Sequence, residues 1–302
     1  MSSIGPATPG TAWFLNGIAN LDAQQSQVER QITSGYQIQD AADSPQQTPQ
    51  LIDLGSQLAA VQAYQTNLSS VQAEANSADQ ALSSAISLIQ NAQSLASEGA
   101  NSTSSAATRQ NLATQVQGLQ QQLVSIANTQ VEGRYIFGGD ADQTAPATGV
   151  AGIAAQTSTR VITDTQGQPV YQGLTAQQIF DPPSAAPPAA SPNSTFAALQ
   201  SLATALAANN TAGISAAAAS LGTASSWVSQ QQAYYGDAEQ TITAQQTAAS
   251  SQIVSLQTEI GGIRDTNVTQ AATELTQLST DQSAAFSAQA SISRKSLFDY
   301  LA

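Results

Sequence analysis

The 302-residue chain has no cysteine and no histidine, and its one lysine is Lys295. No disulfide, thiol nucleophile, Ser-His-Asp triad, zinc finger or histidine-ligated haem can be built from it. Charged residues make up 9% of the chain, against about 25% in typical globular proteins. Seven cations face 20 carboxylates, for a net charge of −13. Such a chain lacks the basic footprint that nucleic acid requires. No apolar run nears the ~18–20 residues of a membrane span, so no membrane insertion is expected. The segment Met1–Gly10 has no Lys or Arg, and so no basic n-region of a secretory signal. Taken alone, that reads as cytosolic.

Proline is absent over two long stretches. Four prolines precede Gln50 (Pro6, Pro9, Pro45 and Pro49) and seven lie between Pro146 and Pro192. The remainder is free of this helix breaker and rich in Ala, Gln and Leu. Apolar residues there recur at steps of three and four. Phe14, Ile18, Leu21, Val28 and Ile32 form one seam, interrupted by Gln25. Leu51, Leu54, Leu58, Val61 and Leu68 form a second, which shifts near Val71 and resumes at Leu82, Ile86 and Ile89. Leu112, Val116, Leu119, Leu123 and Ile126 form a third. Towards the C-terminus come Ile242, Ala249, Ile253, Leu256, Ile260 and Ile263, then Val268, Leu275, Leu278, Ala285 and Ile292. Two apolar positions in seven is the pattern of a bundle or coiled-coil helix. The stretch from Gln50 to Gly99 would be roughly 70 Å long as a helix. Gly35 is the expected C-cap of the first helix, and Ser104 or Ser105 the N-cap of the third. Gly261-Gly262 is expected to break the C-terminal region, with Asp265 or Thr266 restarting it.

The middle differs in kind. Thr159–Thr163 and Pro169–Tyr171 read as strands joined by a turn at Asp164–Gly167. Pro182-Pro183 and Pro187-Pro188 read as a stiff connector. The expected fold is therefore mainly α. An elongated antiparallel bundle or coiled coil forms from the N- and C-terminal regions, with a small β-containing insert at one tip. The expected divisions are 1–45, an N-terminal assembly segment; 46–139, helical core; 140–193, the Pro-rich insert; 194–262, a second helical core; and 263–302, a C-terminal assembly helix.

Chemistry-bearing clusters are sparse. Asp140 and Asp142 lack the further ligands of a calcium loop and read as a solvated loop. Asp40 and Asp43 read as a turn and helix cap rather than an acid–base pair. Tyr234 and Tyr235 read as packing of the insert against the helices. Trp13 and Phe14 near one end, and Phe298 and Tyr300 near the other, either bury against a partner or pack on each other. No catalytic, cofactor or metal site is expected.

Three segments carry a family resemblance. Gln31–Ile38 followed by Ala42-Asp43-Ser44-Pro45 resembles the flagellin N-terminal signature, with Ser34, Gly35, Asp43 and Pro45 at its motif positions. Tyr36 stands where that signature has a basic residue, and Ser44 where it has a second Asp. Ala127–Gly139, with Asn128, Gly133, Arg134, Tyr135, Phe137, Gly138 and Gly139, is similar to the GRYIFGG signature of the hook–filament junction proteins (flagellar hook-associated protein 3). Ser296–Leu301 is similar to that family's C-terminal end. Ile263-x-Asp265-x-Asn267 is similar to its turn before the last helix.

The resemblance implies a structural component of the bacterial flagellum, outside the cell, exported without a cleaved signal by the flagellar type III apparatus. It implies self-association into a ring joining hook to filament, beside another hook-associated protein and flagellin. A cytoplasmic chaperone would cover the C-terminal helix. Both terminal segments would be disordered in the monomer and helical on assembly, as thin seams and marginal isolated helices permit. Phe14, Ile18, Leu21, Val28 and Ile32, with Val268, Leu275, Leu278, Ile292, Leu297 and Leu301, are the expected assembly residues. The alternatives are a filament flagellin and, in another class, an extracellular coiled-coil fibre or adhesin.

Overall fold

The computed structural model describes residues 9–149, 153, 161–164, 167–182 and 194–298, with the side chains of 9–11 and 292–298 excepted. The described chain is mainly α. Helices α1 (Pro9–Ser34), α2 (Thr48–Ala100) and α3 (Ala106–Ala127) come first. A hairpin of β1 (Gln130–Val131) and β2 (Arg134–Tyr135) follows, then a second of β3 (Val161–Thr163) and β4 (Pro169–Gln172). The chain closes with α4 (Ala176–Phe180), α5 (Thr195–Ala207), α6 (Thr211–Arg264) and α7 (Val268–Phe298). Two compact units result: residues 1–60 with 252–302, and residues 61–251.

The larger unit holds the main core. Along α2 the buried positions are Leu68, Val71, Ala75, Ala78, Leu82, Ala85, Ile89, Ala92 and Ala96. Their steps alternate three and four without a shift. The break expected near Val71 is absent, because alanines occupy the seam where large side chains lapse. Ile214, Ala217, Leu221, Ala224, Val228, Tyr235, Ala238 and Ile242 run likewise along α6. Buried alanine lets helix backbones approach closely and keeps a narrow seam dense.

Leu112, Val116 and Leu123 of α3 are buried as expected, while Leu119 and Ile126 pack against the core half-buried. Ser105 is the N-cap of α3, accepting from the Thr108 amide at 3.1 Å. Helix α3 packs on α5, and Gln120 donates to Gln200 at 3.1 Å.

An aromatic cluster fixes the insert. Phe137 meets Phe180 and Tyr235 edge-on at 6.3 and 6.5 Å, and Phe180 meets Phe196 at 6.0 Å. The Tyr234 hydroxyl donates to the Gln172 carbonyl at 2.7 Å, and the Tyr235 hydroxyl accepts from the Leu174 amide at 3.3 Å. Burial pushes the Tyr235 phenol far above its ordinary value. The tyrosine pair thus packs the insert against α6, as read from sequence. The expected strands correspond to β3 and β4; residues 159 and 160 lie outside the described residues. So does the diproline connector, apart from Pro182.

In the smaller unit α1 packs on α7. Val28, Ala271 and Leu278 are its buried centre, flanked by Leu21, Ile32 and Leu275. The expected break at Gly261-Gly262 is not there. Both glycines lie in the last turn of α6, which ends at Arg264. The helix restarts from Asn267 rather than Asp265 or Thr266. The Asn267 side chain accepts from the Gln270 amide at 3.2 Å, capping α7.

Candidate functional site

Two sets of residues combine sequence signature with defined geometry: the smaller unit's paired helices and turns, and the hairpin after α3.

The α1–α7 pair collects most of the expected assembly residues whose side chains are described. Val28 and Leu278 are buried, with Leu21, Ile32 and Leu275 beside them. Phe14 meets Phe286 edge-on at 6.1 Å, one of the two ways of packing open for that end. Gln282 reaches Asp22 across the pair. Ile18 is half-buried. Val268 stands apart, 51% exposed in the single chain. The side chains of Ile292 and Leu297, and all of Leu301, lie outside the description. Trp13 and Leu15 are 84% and 60% exposed, and Phe286 is 51% exposed. Large apolar groups thus remain uncovered on a pair that buries little.

The two signature turns of this unit bind each other. Gly35 ends α1 at φ +77°, a left-handed conformation that glycine adopts without strain. Its carbonyl accepts from the Thr266 amide at 2.8 Å, and the Gln37 amide donates to the Arg264 carbonyl at 2.7 Å. The Gln37 side chain donates to the Ile263 carbonyl at 2.6 Å. The Arg264 guanidinium lies 4.0 Å from the Tyr36 ring centre. Ser34 is the polar hub on the other side, accepting from the Tyr36 amide at 3.1 Å and from the Gln39 side chain at 2.7 Å.

Asp43 closes the next turn. Its carboxylate accepts the Asp40 and Gln39 amides, both at 2.9 Å. Those amides, with the charge of Arg30 beyond, hold its carboxyl below the ordinary carboxylate range. Pro45 is exposed just before α2. The acidic pair is a turn, as expected. The pairing of Tyr36 with Arg264 was not foreseen. Its one sequence signal is an aromatic residue where the resemblance puts a cation, opposite a chain segment that supplies one.

After α3 every motif residue has a structural task. Asn128 caps the helix, and its side chain both donates to the Ala147 carbonyl and accepts from the Ala147 amide, at 2.9 Å each. Glu132 and Gly133, at φ 52° and 78°, form the two-residue turn between β1 and β2. The Tyr135 amide donates to the Asp142 carbonyl at 2.8 Å, and Arg134 pairs with the Asp142 carboxylate at 3.8 Å. Phe137 is fully buried. A Cβ on Gly138 would lie 3.0–3.1 Å from the backbone of Asp142, Ala141 and Tyr135, so a side chain there would push the loop backbone outward. Gly139 follows at φ 58°. The motif residues thus build the turn and the loop that follow α3. No metal-binding cluster of His, Cys, Asp or Glu occurs among the described residues, nor any helix long and apolar enough to cross a membrane.

Comparison with known proteins falls on the same segments. Residues 12–142 match the family model of the bacterial flagellin N-terminal helical region, from the start of α1 to the end of the GRYIFGG loop. No curated protein matches the chain in sequence. Among solved structures, a candidate flagellar hook-associated protein from Vibrio parahaemolyticus superposes with a TM-score of 0.65 at 19% identity. The match covers 74% of this chain and 100% of that one. FlgL from Bacillus cereus superposes with a TM-score of 0.57 at 17% identity, over 69% and 99% of the two chains. At such identities the likeness is one of fold.

Proposed function

We propose that this chain is a hook-associated structural protein of the bacterial flagellum, a reading that starts from the match of residues 12–142 to the flagellin N-terminal helical region. In this reading it joins hook to filament as a ring of self-associating subunits. It leaves the cell through the flagellar type III apparatus, with a chaperone on α7 before export. Its neighbours in place are a second hook-associated protein and flagellin. Its task is structural rather than enzymatic.

The observation that carries the reading is a coincidence on one chain. A flagellin N-terminal region ends in the GRYIFGG hairpin, and the fold extends over the whole length of a candidate hook-associated protein. The α1–α7 pair supports self-association. Its buried centre is three residues among those described, and Trp13, Leu15 and Phe286 remain exposed on it. A pair so thin gains its burial beside neighbours, so folding of the ends and assembly are coupled.

The second reading, a filament flagellin, is favoured by the same family match. Seeded polymerisation of the purified full chain, followed by electron microscopy, separates the two. A junction protein stops at short oligomers or caps the seeds. Long filaments would make it a flagellin and overturn the junction role.

A further inference from the structure

The smaller unit holds a groove that no contact described so far occupies. Leu51, Gly55 and Leu58 of α2 line one side; Gln257, Ile260 and Arg264 of α6 line the other. Each set steps by three and four along its helix, so each is a single face. The space amounts to about 560 Å³. A Cβ on Gly55 would meet nothing within 4 Å, so the glycine leaves the floor open. Ile52 and Val254, 68% and 62% exposed, sit one helical turn from Gly55 and Gln257. Arg264 closes one end. Its Nε reaches Asp265 at 3.3 Å and its plane lies on Tyr36, while its two terminal nitrogens have no hydrogen-bond partner among the described residues.

A trough that sets Leu51, Leu58 and Ile260 beside Gln257 and a guanidinium takes a segment that mixes apolar side chains with a carboxylate. Resting on the reading as a self-assembling subunit, we propose that this groove receives the C-terminal segment Leu297-Phe298-Asp299-Tyr300-Leu301-Ala302 of a second copy of the chain, with Asp299 towards Arg264. Charge complementarity selects this end over the other. The apolar N-terminal run around Trp13, Phe14 and Leu15 has no acidic residue before Asp22.

Reach excludes the chain's own tail. Helix α7, 31 residues long, spans roughly 46 Å. The four residues from Arg264 to its start and the four beyond its end together span at most ~28 Å when extended. Residues 299–302 therefore stop short of the Arg264 of their own chain, and another molecule must bring them there. The contact joins unlike surfaces, so it can repeat from copy to copy.

The absence of cysteine gives a clean test. Gly55→Cys and Leu301→Cys full-length variants are mixed, seeded and exposed to oxidised glutathione, then the products are mapped by mass spectrometry. A mixed 55–301 disulfide between two chains is expected. Gly55→Leu, which fills the trough and improves helix propensity, should weaken assembly about tenfold without lowering helix content. No 55–301 product, whether the chains assemble or stay monomeric, overturns the proposal. So does preferential capture of Trp13→Cys by Gly55→Cys, which would make the N-terminal run the occupant. Long filaments containing the 55–301 link would sink the junction role and keep the groove. Short oligomers lacking it would do the reverse.

Discussion

Arg109 is buried, yet no carboxylate meets it among the described residues. Its Nε donates to the Gly99 carbonyl at 2.6 Å, one terminal nitrogen to the Asn101 carbonyl at 2.9 Å, and the other to the Asn209 side chain. Gly99 and Asn101 bracket the end of α2, where unpaired carbonyls and the helix dipole are negative. The cation is thus neutralised by a helix terminus. Asn209, at φ 55°, brings the turn between α5 and α6 to the same point. A Cβ on Gly99 would run into the buried Leu206 side chain, which would have to shift. Arg109→Lys keeps the charge but loses the planar fork. It should destabilise the larger unit by about 2–4 kcal/mol, read from the urea midpoint. An unchanged midpoint would mean water already satisfies those carbonyls. Nothing in the sequence marks Arg109, because its partners are backbone atoms and an Asn 100 positions away. The motif residues Asn128, Gly133 and Gly138 stood out only through the family resemblance, and the structure gives each a task. Their demands are local: a cap, a left-handed turn and a close backbone approach.

Elements were legible where the seam carries large residues. The boundaries of α1, α2 and α3 follow from Gly35, Pro45 and Ser105. The continuity of α2 through residues 71–82 was hidden, because Ala75 and Ala78 fill its core positions. The β1–β2 hairpin went unread, since its turn is Glu132-Gly133 rather than Asn-Gly and its strands are two residues each. Gly261-Gly262 misled because helical hydrogen bonding in a packed helix outweighs about 1 kcal/mol of glycine propensity per residue. The α1–α7 pair belongs at this scale too. Leu275 flanks a centre of three buried residues among those described. A carboxylate there must either desolvate or open the pair. Leu275→Asp should abolish seeded assembly while amide exchange in residues 61–251 stays protected. Normal assembly of this variant would remove the pair from the mechanism.

The whole molecule carries −13 with few cations left to answer a neighbour's carboxylates. Arg109 is turned inward and Arg134 is taken by Asp142, while Arg264 spends its Nε on Asp265 and its face on Tyr36 and keeps only its terminal nitrogens for a neighbour. Copies of such a chain repel each other at long range. Assembly must therefore rest on apolar burial and on the Gln, Ser and Thr side chains that replace the missing ions. The Arg264–Asp299 contact proposed above is one partly buried pair, which salt screens weakly, set against thirteen net charges per copy, which salt screens strongly. The sign of the salt effect follows. Raising ionic strength from about 0.01 M to 0.15 M shortens the Debye length from roughly 30 to 8 Å. The critical concentration for seeded assembly, measured by sedimentation, should then fall. If added salt instead dissolves the oligomers, ion pairs between subunits dominate, and the exposed apolar groups Trp13, Leu15 and Phe286 are not what holds the copies together.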